Sequence, residues 1–268
     1  MTAIAVTIAG SDSGGGAGIQ ADLKTFSANG VFGASVLTAL TAQNTLGVSA
    51  IHDVPPDFVR AQMDAVYSDL KVTATKIGML SSSVIIEAVA EGLEAHATGP
   101  VVLDPVMVAA SGDPLLADGA VSSLLSRLMP LADIITPNLH EAAHMLGMSV
   151  ARNEADMLTQ GEELLRLGAR SVLLKGGHSD GDDSADLFVD KDRNTFWLRE
   201  RRLQTENTHG TGCTLSSAIA AALAKGSDLQ TATRDAKQYV HGAIAAADQL
   251  DIGGGHGPVH HFYKLWST

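Results

Sequence analysis

Short apolar runs alternate with longer amphipathic segments along most of the chain. Runs that are apolar on both sides predict buried strands, and apolar residues spaced three or four apart predict helices. The predicted strands are residues 4–9, 33–40, 74–77, 101–103, 133–136 and 171–175. The predicted helices are residues 18–28, 55–67, 84–94, 119–128, 139–146 and 155–167. This alternation indicates an α/β fold with a central, mostly parallel β-sheet and helices on both faces.

One segment breaks the alternation. Residues 186–189 and 195–198 flank a polar turn, and this pattern predicts a small β-hairpin. The preceding residues 177–184 are the candidate flap over a site. The rest of the final third is rich in alanine and is predicted to be helical. Since no repeat, linker or break in composition is visible, we expect residues 1–268 to form a single domain.

Composition excludes several classes of protein. With 45% hydrophobic and 18% charged residues, the chain is too apolar for intrinsic disorder. A net charge of −12 and 4% aromatic residues argue against nucleic-acid binding. A single cysteine excludes an internal disulfide framework and a cysteine-rich zinc site. Because no targeting segment and no apolar run of membrane-spanning length is visible, we expect a cytoplasmic protein without a membrane partner.

A glycine-rich segment follows the first predicted strand. This glycine loop, residues 10–18, reads GSDSGGGAG. Its glycines free the backbone to turn and expose N–H groups, and ligands of open α/β sheets bind at the carboxyl ends of strands. A P-loop is excluded because Gly16 stands where lysine is required. NAD is not expected either, since the next strand has no acid to hold a ribose.

A zinc-protease pattern occurs once. Residues 140–144 read HEAAH, with His140 and His144 one helical turn apart and Glu141 as a possible base. So short a pattern arises easily by chance in a chain with 10 histidines. In a second interpretation, Asn138 caps this helix and Glu141 points into a crevice at the strand ends.

The segment before the alanine-rich helix predicts an anion site. Gly210, Thr211, Gly212 and Cys213, here called the anion loop, would present backbone N–H groups to an anion at a helix N-terminus. Cys213 lies in the first turn, where the helix dipole favours the thiolate. An anion hole beside a base is suited to phosphoryl transfer to a hydroxyl group. Two further residues at strand ends fit the same crevice. Asp104 could bind Mg²⁺ through its carboxylate, and Lys175 could bind phosphate through its charge.

These segments together resemble the ribokinase-like superfamily and, within it, the hydroxymethylpyrimidine/phosphomethylpyrimidine kinase family of thiamine biosynthesis. The resemblance covers nearly the whole chain. Its motifs are TIAGSDSGGGAGIQADLKT (7–25), LTAQNTLG (40–47), KIGML (76–80), LDPVMV (103–108), ITPNLHE (135–141), KGGH (175–178), ENTHGTGCT (206–214) and GPVHHF (257–262).

The resemblance implies two successive phosphorylations in one site. ATP with Mg²⁺ would phosphorylate 4-amino-5-hydroxymethyl-2-methylpyrimidine and then extend the monophosphate to the diphosphate. Gln43 would bind the amino and ring-nitrogen edge, since an amide is both donor and acceptor. Residues lining the pyrimidine pocket would be Gly10, Ala17, Asp22, Met79 and Val106. Asn138 and Glu141 would lie near Mg²⁺ and phosphate, and Gly210, Thr211 and Gly212 would form the anion hole.

Cys213 stands where most sugar kinases of the superfamily carry aspartate. Because a monophosphate acceptor is already ionised, we expect Cys213→Ala to impair the first transfer more than the second. The sequence departs from the family at Ala110, where relatives are expected to carry lysine. The resemblance also implies a homodimer.

Three alternatives stay open from sequence. A pyridoxal kinase has the same fold and accepts a related hydroxymethyl ring. A zinc hydrolase would use His140, Glu141 and His144. A vitamin-binding module would bind a ligand without turnover, although such a module has no need of the anion loop.

Overall fold

A computed structural model describes residues 2–96, 98–108, 115–117, 119–177 and 183–266 of the chain. Within these residues the strands form one nine-stranded sheet in the order β3-β2-β1-β4-β5-β6-β7-β8-β9. The strands are β1 (Ile4–Asp12), β2 (Phe32–Asn44), β3 (Gly47–Asp53), β4 (Ala74–Ile77), β5 (Val101–Leu103), β6 (Ile134–Ile135), β7 (Ser171–Leu174), β8 (Asp183–Asp190) and β9 (Thr195–Arg201).

The described part of the chain has eight α-helices, of which six lie between strands and the last two follow β9. They are α1 (Gly18–Ala28), α2 (Pro56–Asp69), α3 (Ser83–Ala95), α4 (Ala120–Ser123), α5 (Leu139–Leu146), α6 (Glu154–Arg166), α7 (Thr211–Ala224) and α8 (Leu229–Ala245). No helix of the described residues is both long enough and apolar enough to span a bilayer.

The sheet separates two hydrophobic cores. Val101 and Leu103 of β5 belong to the core that includes residues of α2, α3, α5 and α6, whereas Val102 between them belongs to the other core. That second core includes residues of α1, α7 and α8. Such alternation along one strand is expected for a strand covered on both faces, because successive side chains point to opposite sides. Small alanine side chains let α7 pack closely against β1, β4 and β5.

The predicted fold class is confirmed. Neighbouring strands among β1, β2, β4, β5, β6 and β7 pair in parallel, while β3, β8 and β9 add antiparallel pairs. The predicted hairpin is the β8–β9 pair. Because the parallel strands run in one direction, their carboxyl ends meet at one edge of the sheet.

Four details differ from the prediction. β3 was not predicted, because most of its side chains are exposed and it lacks an alternating apolar pattern. The predicted helix 119–128 is α4 followed by a π-helical turn, Leu124–Leu128. The predicted strand 133–136 pairs only over Ile134–Ile135. The final third is less helical than predicted, since beyond a short 3₁₀ turn, Ala247–Gln249, the described chain has no further helix.

Candidate functional site

A cavity of about 1190 Å³ opens along the carboxyl ends of the parallel strands. It exceeds the usual volume of a site for one small ligand, about 300–1,000 Å³, so a second ligand can be accommodated. Most residues singled out from the sequence line it, namely Gly10, Ala17, Gln43, Met79, Asp104, Val106, Asn138, Glu141, Lys175, Gly210, Thr211, Gly212 and Cys213.

Gln43 is held against the glycine loop. The Ser13 hydroxyl donates to the Gln43 carbonyl oxygen at 2.9 Å, and the Gln43 N–H is 2.8 Å from the same hydroxyl oxygen. The Thr41 hydroxyl lies 3.0 Å from Gln43 Oε1. The same hydroxyl lies 2.9 Å from the Ser11 carbonyl oxygen, so its one proton is shared between these two acceptors. The main chain of Gln43 is therefore fixed to the glycine loop, and its side-chain amide lines the cavity with a donor and an acceptor to offer a ligand.

The anion loop begins in a left-handed conformation. Gly210 has φ 80°, and a Cβ at this position would overlap the carbonyl oxygen of Gly16. Glycine is required here for both reasons. The first N–H groups of a helix have no acceptor within the helix, so those of Gly212 and Cys213 at the start of α7 are suited to an anion. A Cβ on Gly212 would lie 3.4 Å from Lys175 Nζ, so the loop passes directly over that ammonium group.

The Cys213 thiol differs from the sequence expectation. Burial raises its pKa to about 11, although the positive charge of Lys76 acts in the opposite direction. The helix dipole was expected to favour the thiolate, but loss of hydration is the larger effect. In the ligand-free protein Cys213 is therefore a thiol at neutral pH.

Lys175 lies between two carboxylates. Its Nζ is 2.9 Å from Asp104 Oδ1 and 3.9 Å from Glu141 Oε2. Burial opposes the charge, but the two carboxylates outweigh it and raise the pKa of Lys175. Asp104 is buried, yet Lys175 and Lys76 hold its pKa below the ordinary value. These charges provide a fixed cation beneath the anion loop.

Glu141 takes part in the cap of α5. Its carboxylate accepts from the Asn138 N–H at 2.7 Å, and the Asn138 side chain accepts from the Glu141 N–H at 2.9 Å, which forms a capping box on α5. Burial raises the pKa of Glu141 to about 7, with Lys175 acting against it and Asp104 adding to it. The expected cap by Asn138 is confirmed, and Glu141 lies in the crevice at the strand ends.

The donor set is compatible with Mg²⁺ carried by a nucleotide. Mg²⁺ in such sites is held by one or two carboxylates together with substrate phosphates. Glu141 is a buried carboxylate whose nearest cation is 3.9 Å away, so a divalent ion beside it would relieve the cost of its charge. Asp104 already accepts from Lys175 and Thr136, and Ser216 lies 3.3 Å away. Glu141 is thus the better ligand of the two.

Asp22 is a correction to the predicted pocket lining. Its side chain is fully buried behind the cavity, where Lys76 Nζ lies 2.9 Å from both carboxylate oxygens. The hydroxyls of Thr7 and Ser217 each donate to it at 2.6 Å. All its acceptor sites face protein groups, so Asp22 has no surface to offer a ligand.

The zinc-protease interpretation does not fit the arrangement of its three residues. His140 and His144 are exposed on α5, while Glu141 is buried and faces Lys175. The described residues contain no group of three or more His, Cys, Asp or Glu side chains that could hold a metal ion. Two other expectations, on Ala110 and on the middle of the flap 177–184, fall outside the described residues.

Sequence reasoning missed three residues at this site. Lys76 has a detectable signal, since a lysine within the short apolar strand β4 has to find a buried counter-charge. Thr41 has no comparable signal, because a threonine in a strand, two residues before Gln43, is not unusual. His209 has none either, because its role depends on Asp12, 197 residues away in the chain.

Comparison with known proteins agrees with this geometry. The family model described as phosphomethylpyrimidine kinase matches residues 12–260. A hydroxymethylpyrimidine/phosphomethylpyrimidine kinase of Rhizobium meliloti (strain 1021) is 59% identical, over 99% of each chain. A crystal structure of phosphomethylpyrimidine kinase from Clostridium difficile 630 is 46% identical with a TM-score of 0.79, covering 90% of this chain and 99% of that one.

Pyridoxal kinase from Staphylococcus aureus, in complex with AMP-PCP and pyridoxal, is 33% identical with a TM-score of 0.90, covering 99% of this chain and 95% of that one. The predicted enzyme class, a kinase of the thiamine pathway family, and the ribokinase-like fold are both confirmed. The chain belongs to the phosphomethylpyrimidine kinase family.

Proposed function

We propose that this one cavity carries out both phosphoryl transfers from ATP, first to 4-amino-5-hydroxymethyl-2-methylpyrimidine and then to its monophosphate. The observation that carries the proposal is the joint arrangement of a ring-binding amide and an anion loop around the same glycine loop. Ser13 bonds Gln43, and Gly16 contacts Gly210. Both acceptors have the same ring, so the same contacts serve both.

In the first transfer the hydroxymethyl oxygen forms a bond to the γ-phosphorus while the bond from that phosphorus to the bridging oxygen of ADP breaks. The hydroxyl proton passes to the thiolate form of Cys213, which a pKa of about 11 leaves as a minor fraction at neutral pH. The anion loop stabilises the charge that develops on the transferred group, chiefly through the N–H groups of Gly212 and Cys213, since the Thr211 N–H already donates to the Thr208 carbonyl at 3.2 Å. In the second transfer the acceptor is already an ionised phosphate, and no base is needed.

ATP is the phosphoryl donor in this proposal, and Mg²⁺ would accompany it as the cofactor. The S. aureus structures, in complex with AMP-PCP and with ADP, support an adenine nucleotide here as well. Lys175 balances the charge of the phosphates, and Glu141, assisted by Asn138 and Asp104, holds the ion that comes with ATP. Mg²⁺ supplies charge neutralisation between neighbouring phosphate oxygens when bound.

A pyridoxal kinase is the second candidate. The S. aureus pyridoxal kinase has a TM-score of 0.90, against 0.79 for the C. difficile phosphomethylpyrimidine kinase. Pyridoxal also carries a primary hydroxymethyl group on an aromatic ring. The sequence expectations of a homodimer, a cytoplasmic location and a single domain remain predictions of this proposal.

A transfer assay tests the proposal. Mg·ATP is offered with the hydroxymethylpyrimidine, its monophosphate or pyridoxal, and phosphorylated products are identified by ³¹P NMR and mass spectrometry. Conversion of the monophosphate to the diphosphate supports the proposal, and activity confined to pyridoxal supports the second candidate. The zinc chelator 1,10-phenanthroline should leave the rate unchanged. If folded protein phosphorylates no ring, both candidates are rejected.

A further inference from the structure

The carboxylate of Asp12, the last residue of β1, organises the glycine loop. Its Oδ1 accepts the Gly14 N–H at 2.8 Å, and its Oδ2 accepts those of Gly16 at 3.0 Å and Ala17 at 2.8 Å. Asp12 is buried, with 3% of its surface exposed. A single carboxylate thus binds three backbone N–H groups and fixes the glycine loop. The pyrimidine that accepts the phosphoryl group is proposed to bind against this loop.

The same carboxylate also binds His209, which directly precedes the anion loop. His209 Nε2 lies 2.9 Å from Asp12 Oδ2, and both side chains are buried. The two loops also touch directly, since a Cβ on Gly16 would overlap the His209 ring and a Cβ on Gly210 would overlap the Gly16 carbonyl oxygen. The Asp12–His209 pair therefore joins the glycine loop to the anion loop.

The Asp12 carboxylate at this junction is negatively charged at neutral pH. Burial acts to raise the pKa of Asp12, but the hydrogen bond from His209 and the backbone donors outweigh it and lower the pKa. Lys24 adds a further tie, because its Nζ donates to the Gly15 carbonyl at 2.7 Å. Asp12 accordingly remains a hydrogen-bond acceptor at every pH at which a kinase of this kind is assayed.

The backbone of His209 is held independently of its ring. Its N–H donates to the Gly257 carbonyl at 3.0 Å, and its carbonyl accepts from the Val259 N–H at 3.3 Å. The C-terminal segment thereby ties this residue to the body of the protein. A change in the side chain removes the link to Asp12 and the packing of the ring against Gly16, but the tether to residues 257–259 remains, so the variants are expected to fold.

We propose that His209 is a positioning residue for phosphoryl transfer: through Asp12 its imidazole fixes the N–H groups of the anion loop relative to an acceptor on the glycine loop. The inference rests on the proposed function. Hydrogen-bond donors stabilise a transition state only where its charge develops, and a displacement of about 1 Å can cost about 100-fold in rate. His209 contributes to turnover without touching the substrate.

Two amide variants isolate the hydrogen bond. In His209→Gln the side-chain NH₂ can take the place of Nε2 and reach Asp12, whereas the shorter His209→Asn cannot. His256→Asn is the matched control, because His256 is exposed and its Nδ1 contacts the Glu206 carbonyl, away from Asp12. Each variant is first checked by thermal unfolding, and kcat and KM are then measured for both pyrimidine acceptors with Mg·ATP.

The expected result is a loss of kcat by about 10- to 100-fold in His209→Asn for both acceptors, with acceptor KM within about twofold. His209→Gln should recover most of the loss, and His256→Asn should behave as wild type. Asp12→Asn combined with His209→Asn should cost much less than the product of the two separate losses, because both remove the same link.

A kcat of His209→Asn within about twofold of wild type overturns the inference, and so does a folded His209→Gln as impaired as His209→Asn. These outcomes leave the proposed function intact as long as the wild-type protein is active. Wild-type protein that phosphorylates neither pyrimidine overturns the proposed function, and this inference with it.

Discussion

Lys76 Nζ lies 2.9 Å from both carboxylate oxygens of Asp22, and neither side chain has any exposed surface. Ser217, which donates to the same carboxylate, is one helical turn beyond Cys213 on α7. The ion pair therefore lies behind the anion loop, on the face of the helix that carries the cysteine. It sets the local charge without entering the cavity.

Removal of one partner of this pair should be costly. Lys76→Met leaves the Asp22 carboxylate buried without its cation, and we expect a loss of about 3–5 kcal/mol in the free energy of unfolding, measured in urea. Asp22→Asn together with Lys76→Met leaves no uncompensated charge and should restore much of that loss. A double variant as unstable as Lys76→Met would contradict this account of the pair.

The thiol of Cys213 should react slowly at neutral pH. Because burial raises its pKa to about 11, the thiolate fraction rises throughout the range from pH 7 to 10. Since the chain has one cysteine, the rate of modification by iodoacetamide can be followed on intact protein by mass spectrometry. We expect the rate to increase about tenfold per pH unit without a plateau. A plateau below pH 8 would show an activated thiolate instead.

The two transfers should respond differently to loss of the thiol. Cys213→Ala removes the proposed base for the hydroxyl acceptor, and we expect the first transfer to fall by about 100-fold or more. The second transfer should fall by less than about tenfold, because its acceptor is already ionised. Separate assays that start from each acceptor measure the two rates, and equal losses would rule out this role.

Glu141 should reduce the stability of the ligand-free protein at alkaline pH. Its pKa in the folded state, about 7, exceeds the ordinary value because burial penalises the charge. The folded state therefore holds the proton more tightly, and stability declines as the pH rises from about 4.5 through 7. Glu141→Gln keeps an acceptor for the α5 cap and removes the charge.

We expect Glu141→Gln to melt at a higher temperature than wild type at pH 8 and at nearly the same temperature at pH 4.5. The variant should also lose kinase activity. Thermal unfolding followed by circular dichroism measures the difference. His144→Gln is a control on the exposed face of the same helix. A melting temperature lowered by Glu141→Gln at pH 8 would mean that Lys175 compensates the carboxylate fully.

The sequence predicts the fold where apolar periodicity determines the elements, and it predicts site residues where they lie at the end of a strand. Asp104, Asn138 and Lys175 each lie at or just beyond the end of a predicted buried strand, and all three line the cavity. Local sequence does not reveal partners distant along the chain. Asp22 lies in the motif of residues 7–25, which the resemblance associates with the pyrimidine pocket. Its position is nevertheless decided by Lys76, 54 residues away.

Burial likewise cannot be derived from a helix start alone. The position of Cys213 at the beginning of α7 predicted a lowered pKa, and the surrounding protein reverses the direction. β3 was missed for the opposite reason, since an exposed edge strand has no apolar pattern to detect. Both errors concern how much water reaches a residue, which depends on the assembled tertiary structure.

The central claim, that one cavity holds both acceptors by the same ring contacts, is tested most directly by Gln43→Ala. Steady-state kinetics with Mg·ATP are measured for the hydroxymethylpyrimidine and for its monophosphate, with Gln238→Ala on the exposed surface of α8 as control. Loss of one hydrogen-bonding side chain should raise both KM values about tenfold, by the same factor within about twofold. A KM raised for one acceptor and unchanged for the other would contradict a shared ring site.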